Sequence, residues 1–308
     1  MLKNQQRKMA EYMNVNKIIS HTIRPLNYKN VCLQEIYLYI DLLKKANIPH
    51  INFNMSMIAK ITQDCTKWKD LAINIKNYTD SLNMDIPITH AVYESALIIS
   101  SYNGDLLKKT ETCLDIATNI FKSKIMVIHS GIGVINNVYD TKSTIDLNFD
   151  FWKNICLLSN KNICIAFEND VVEVNNHLCR LEPSVNIINM FVDKLKPFGK
   201  VGICYDIGHA NIANRNIFKD LLQIKDNLIC LHLHNNFGDN INEERVWKND
   251  THNPCYDGVI DIKKFLAYLN SLNIDIEDYI IESVYRDIDT KLLEESINKD
   301  YEYIKNNI

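Results

Sequence analysis

Two textures alternate along the chain. Short runs apolar at nearly every position end on a polar residue. Each is followed by a longer segment in which apolar residues recur every three or four places. The clearest short runs are KIMVIHSG (124–131), ICIAFEND (163–170), VGICYDIGHA (201–210), LICLHLHNN (228–236) and YIIESV (279–284). A run that is apolar on both faces fits a parallel strand, covered by helices on one side and packed inward on the other. KIISHT (17–22), HINFNM (50–55) and IPITHAVY (86–93) carry the same signature more weakly. Between the runs, NVCLQEIYLYIDLLKKA (30–46), DLLKKTETCLDIATNIF (105–121) and IDIKKFLAYLNSL (260–272) have helical period. Eight strands alternating with about eight helices predict a single (β/α)8 TIM barrel of the α/β class.

Spacing points the same way. His90, His129, Glu168 and Asp206 close successive runs 39, 39 and 38 residues apart, room for one βα unit in each interval. A doubly wound open sheet would carry a Gly-rich phosphate loop after its first strand, and none is present. No Pro/Gly/Ser-rich linker divides the 308 residues. One domain is therefore expected over 1–308, with 1–16 as an N-terminal extension.

Composition narrows the function classes. With 46% hydrophobic and 23% charged residues the chain is not intrinsically disordered. A net charge of −4 gives no electrostatic reason to expect a general nucleic-acid binder. The nine cysteines are odd in number and form no CxxC pair, which fits reduced thiols in a cytoplasm. No leader-like apolar segment opens the chain, and no stretch approaches a membrane span. A cytoplasmic protein without a membrane partner is expected.

Active sites of such barrels lie at the C-terminal ends of the strands. Reading those ends in order gives His90, His129, Glu168, Asp206 with His209, His232 and His234, Asp250 with His252, and Glu282. Six of the nine histidines fall in this set, too many for so small a part of the chain. Carboxylate and imidazole without thiolate suit a divalent ion such as Mn2+, Mg2+, Co2+ or Zn2+. Glu168 and Glu282 each follow at least three apolar residues, where an ionised carboxylate is costly unless paired or metal-bound. Asp206 and His209 lie three apart across a strand-to-helix turn. His232 and His234 are two apart and share a face, so one binds metal while the other contacts substrate or orients the first. Trp247, Lys248 and Arg286 sit in loops at the same end and are candidates for substrate contact. Cys204 and Cys230 read as small core residues. The segment 291–307 reads as a solvated last helix.

IAFEN, YDIGHANI, LHLHNN, DTHNPxxDGxID and IIES, taken together in order, resemble the xylose isomerase-like TIM-barrel superfamily over residues 17–305. That superfamily joins sugar isomerases and epimerases with endonuclease IV-type apurinic-site nucleases. In epimerase-like members the resemblance implies one divalent ion on Glu168, Asp206, a His of the HLH pair and Glu282. There the two glutamates move protons through an enediolate and His209 contacts substrate. The expected partner is then a small sugar, phosphorylated or not, with no nucleotide cofactor; association of identical chains is compatible with this. The nuclease branch implies three zinc ions on nine ligands, for which His90, His129, His209, Asp250 and His252 complete the set. YDIGHANI has the sugar-enzyme form. Glu94 stands where a nuclease inserts a leucine, and no Arg-rich loop follows the second strand to meet phosphates. The sugar enzyme is therefore the expected reading, with the nuclease and a non-catalytic binding barrel as alternatives.

Overall fold

Eight parallel strands close on themselves in the computed structural model. They are β1 (Ile18–Thr22), β2 (His50–Asn54), β3 (Asp85–His90), β4 (Ile125–His129), β5 (Cys164–Glu168), β6 (Lys200–Asp206), β7 (Leu228–Leu233) and β8 (Asp278–Ile281). Described are residues 17–24, 31–92, 98–99, 104–129, 132–135, 138–139, 141–170, 173–174, 177–178, 185–238, 249–274, 276–286 and 289–308. Each strand pairs with its neighbours in sequence, and β8 closes on β1 with Ile18 opposite Asp278 and His21 opposite Ile281. Between and after the strands run α1 (Leu33–Lys45), α2 (Trp68–Ser81), α3 (Gly104–Asp115), α4 (Thr141–Ser159), α5 (Val185–Leu195), α6 (Ile217–Ile224), α7 (Ile262–Ser271) and α8 (Thr290–Lys305). The chain is a (β/α)8 barrel.

The apolar runs are buried on both sides, which is why they lack alternation. Outward residues such as Ile86, Ile128, Phe167, Tyr205, Leu231 and Leu233 pack against the helices. Inward residues Ile88, Val127, Ala166, Cys204, Cys230 and Ile280 fill the middle of the barrel. Cys204 and Cys230 face one another in register across β6 and β7. The eight described cysteines are free thiols. Among the described residues no helix is long and apolar enough to cross a membrane.

Three expectations need adjustment. β3 ends at His90, so Ala91 and Val92 lie beyond the strand, and Tyr93 is outside the described residues. The helix over 105–121 widens into a π-helical turn from Ile116 to Phe121, closed by Lys122 in the left-handed region. The last helix is not solvated all round. Leu293, Ile297, Asp300 and Ile304 are buried at helical spacing, so its dense charge conceals a core-facing stripe that includes an aspartate.

Candidate metal centre

Above the apolar middle layer the barrel interior turns polar. The last inward position of six strands carries His90, His129, Glu168, Asp206, His232 and, just past β8, Glu282. All six are buried. Glu168, Asp206, His232 and Glu282 each offer one ligand atom, and these atoms all lie within 4.8 Å of one another. His232 Nδ1 faces three carboxylates, at 3.1 Å from Glu168, 3.5 Å from Glu282 and 3.7 Å from Asp206. Neither ring nitrogen has a hydrogen-bond partner among the described residues. Three buried carboxylates against one imidazole form an acidic concavity that burial alone would penalise heavily. A divalent cation fits that donor set and that charge.

Neighbours fix the carboxylates. Asp206 caps the short helix Ile207–Ile212 by accepting the His209 backbone N–H at 2.7 Å. Its own strand end is held by Asn169, whose side-chain Oδ1 accepts from Asp206 N and whose Nδ2 donates to Asp206 O. Glu282 Oε1 accepts from Thr22 Oγ1 at 3.3 Å, and Thr22 accepts in turn from Asn52 Nδ2 at 2.9 Å. Arg24 reaches Glu282 Oε2 at 3.2 Å.

Two further groups flank the first. His90 and His129 both bring Nε2 to 3.0 Å from Glu168 Oε2, while Glu168 Oε1 faces His232. One glutamate thus serves two groups, one through each oxygen. On the other side His209, His234, Asp250 and His252 converge. Asp250 Oδ2 lies 2.9 Å from His252 Nε2 and 3.3 Å from His209 Nε2, and the His234 and His252 rings stack at 3.8 Å. Gly208 lets the helix start against His234, because a Cβ there would overlap its ring. His90 Nδ1 donates to Ala91 O and His209 Nδ1 to Asn169 O, while His252 Nδ1 lies between Glu282 O at 3.0 Å and the Arg24 guanidinium at 3.2 Å. A carbonyl only accepts, so the His90 and His209 rings are set to present Nε2 inward, the orientation seen in metal-binding histidines. His129 Nδ1 is held by Asp170.

The charges are strongly coupled. Burial pushes the Glu168 carboxyl up, but His232 and His129 outweigh it and hold it well below the usual range. Glu282 is likewise held down against burial by His232, Arg24 and His252, and Asp206 by His209 and His234. Burial would lower His129, yet Asp170 and Glu168 raise it to about 9.

The sequence profile described as xylose isomerase-like TIM barrel matches residues 45–306. The chain belongs to this family. Solved structures sharing the xylose isomerase-like fold include a putative xylose isomerase from Rhodospirillum rubrum (TM-score 0.72, 9% identity, covering 95% of this chain and 99% of that one). Others are D-allulose 3-epimerase from Methylomonas sp. in complex with D-allulose (0.67, 13%, 95% and 98%) and 3-keto-D-glucoside 4-epimerase from E. coli (0.66, 12%, 93% and 99%). At these identities the likeness is one of fold. No curated protein matches the chain.

The ten strand-end and loop residues read as ligand candidates from the sequence all fall into the three groups. His232 sits in the central group and His234 in the flanking one. Arg286 is exposed beyond β8. Trp247, Lys248 and Glu94 lie outside the described residues. The sequence reading missed Thr22, Arg24, Asn52 and Asp170. Asp170 lies two residues past Glu168 and could have been marked. The other three sit on or just after the weakly patterned β1 and β2, where inward polar residues blur the apolar run.

Proposed function

We propose that the protein is a divalent-metal-dependent isomerase or epimerase acting on a small sugar. The observation that carries the reading is the central group, with two glutamates, Asp206 and His232 converging at the buried strand ends of a xylose isomerase-like barrel. An ion held by these four residues would supply Lewis acidity toward adjacent carbonyl and hydroxyl oxygens of the sugar. Glu168 and Glu282 carry the proton. Their neighbours keep both ionised, the form a base requires. One takes the proton from the carbon beside the carbonyl, and the same or the other glutamate returns it. Thr22 and Arg24 aim Glu282; His90 and His129 aim Glu168. His209 and His252, at the rim of the same end, suit contact with sugar hydroxyls. The sugar epimerases among the solved structures of like fold support the substrate class.

A second reading has its own observation. The two flanking groups, one sharing Glu168, form a contiguous row that would suit three ions and phosphodiester hydrolysis of the endonuclease IV type. Counting ions by mass spectrometry and locating them by anomalous diffraction separates the two. One tightly held ion per chain, with proton exchange from ketoses in deuterated water, is expected. Three ions together with cleavage of an abasic duplex would overturn the sugar reading. Glu168→Gln and Glu282→Gln should each lower turnover at least about a hundredfold, with a smaller fall in ion content because three ligands remain.

A further inference from the structure

The last helix reaches the candidate centre through one buried carboxylate. Asp300 on α8 is 0% exposed, in a stripe whose other members are Leu293, Ile297 and Ile304. A leucine there would bury at far lower cost than a carboxylate facing only uncharged groups. Asp300 instead accepts three hydrogen bonds: from the backbone N–H of Cys255 at 2.8 Å, from Ser283 Oγ, and from Tyr285 OH at 2.9 Å. The three donors belong to segments that matter to the centre. Cys255 lies in the loop that carries Asp250 and His252. Ser283 follows Glu282. Tyr285 also meets His21 Nε2 on β1 at 3.1 Å.

The loop needs such an anchor. His252 adopts φ 47°, a left-handed conformation that a non-glycine residue keeps only when its surroundings impose it. Val284 N donates to His252 O at 2.6 Å, and His252 Nδ1 lies 3.0 Å from Glu282 O. These bonds dock the loop on the end of β8, and Asp300 spans the same two segments from behind. Asp220, also buried, is a contrast: Arg215 pairs with it through two nitrogens at 2.6 and 2.8 Å, Tyr205 OH donates to it at 2.9 Å, and among the described residues it makes no hydrogen bond to the 250–255 loop.

We propose that Asp300 is a positioning residue that pins the 250–255 loop to the end of β8, so that Asp250 and His252 face His209 and His234. The geometric part stands by itself; the expected sparing of the central ion site rests on the metal-dependent reading above.

The test compares the full chain with Asp300→Leu, Asp300→Asn and Asp220→Asn. Leucine removes all three acceptors. Asparagine can still accept from Cys255 N while its amide donates to the two hydroxyls, so it should rescue. Hydrogen exchange is followed in the metal-free protein, and Zn2+ binding by calorimetry. Asp300→Leu should speed exchange over 250–256 at least about tenfold, with β5 unchanged. It should leave the central group's Zn2+ affinity intact, the flanking group holding no ion on the reading above. Asp220→Asn should lower the melting temperature without speeding exchange over 250–256. Should Asp300→Leu fail to fold, Tyr285→Phe removes a single donor and should show the loop effect in milder form. Unchanged exchange over 250–256, or a uniform rise across the barrel, overturns the proposal. Absence of Zn2+ binding by the wild type at any group would instead defeat the metal-dependent reading, and the exchange arm would still decide the role of Asp300.

Discussion

His21 shows how a single side chain ties the fold to pH. It is fully buried, with Nδ1 donating to Thr22 O at 2.9 Å, and its ring stacks on Tyr285 at 5.9 Å. Burial lowers its pKa from 6.5 to about 4. Below pH 6.5 the unfolded chain takes up a proton that the folded chain refuses until about pH 4, so stability falls as pH drops through that window. A shift of this size corresponds to about 3 kcal/mol, fully lost by about pH 4. Denaturant titrations between pH 7 and 4 should show the loss, and His21→Gln should flatten that part of the profile. An equal slope in the variant would remove His21 as the cause. Arg24 makes a different point at this scale. It orients Glu282 from just after β1, yet nothing in the pattern around Ile23 and Arg24 marks it, because its role depends on β1 lying beside β8.

At the scale of elements, the strand-to-helix turn after β6 is the most constrained piece. Asp206 caps the helix and belongs to the central group, Gly208 clears the His234 ring, and His209 faces Asp250 two residues before His252. Gly208→Ala should therefore push His234 aside. The overpacking should cost about 1–3 kcal/mol. Thermal melts read the cost; an unchanged melting temperature would mean that the turn yields without strain against His234. YDIGHANI was legible as a strand end and helix start because the apolar run and the DxxH spacing are local. The partition of ten ligand candidates into three groups was not legible, since it depends on which ring nitrogen each backbone carbonyl claims. Asp300 was hidden for another reason. Its helix carries so many charges that period alone suggested solvent on every side, and only the spacing from Leu293 and Ile297 places it on the inner stripe.

Over the whole molecule, the barrel was readable because doubly covered strands leave apolar runs, clearest from β4 to β8. What no run discloses is the seam, where Ile18 to His21 of β1 meet Asp278 to Ile281 of β8 across almost the full length of the chain. A closed barrel exposes no strand edge. Opening that seam uncovers two at once, each with a row of unpaired backbone donors and acceptors ready to template another chain. Damage at β1 should therefore appear as self-association before it appears as simple unfolding. Ser20→Pro, which removes a ladder donor from β1, should make light scattering on mild heating rise with protein concentration, while dilute samples refold. A transition independent of concentration would show that the seam re-forms faster than chains can meet. For this architecture, solubility is guarded by two strands that lie at opposite ends of the sequence.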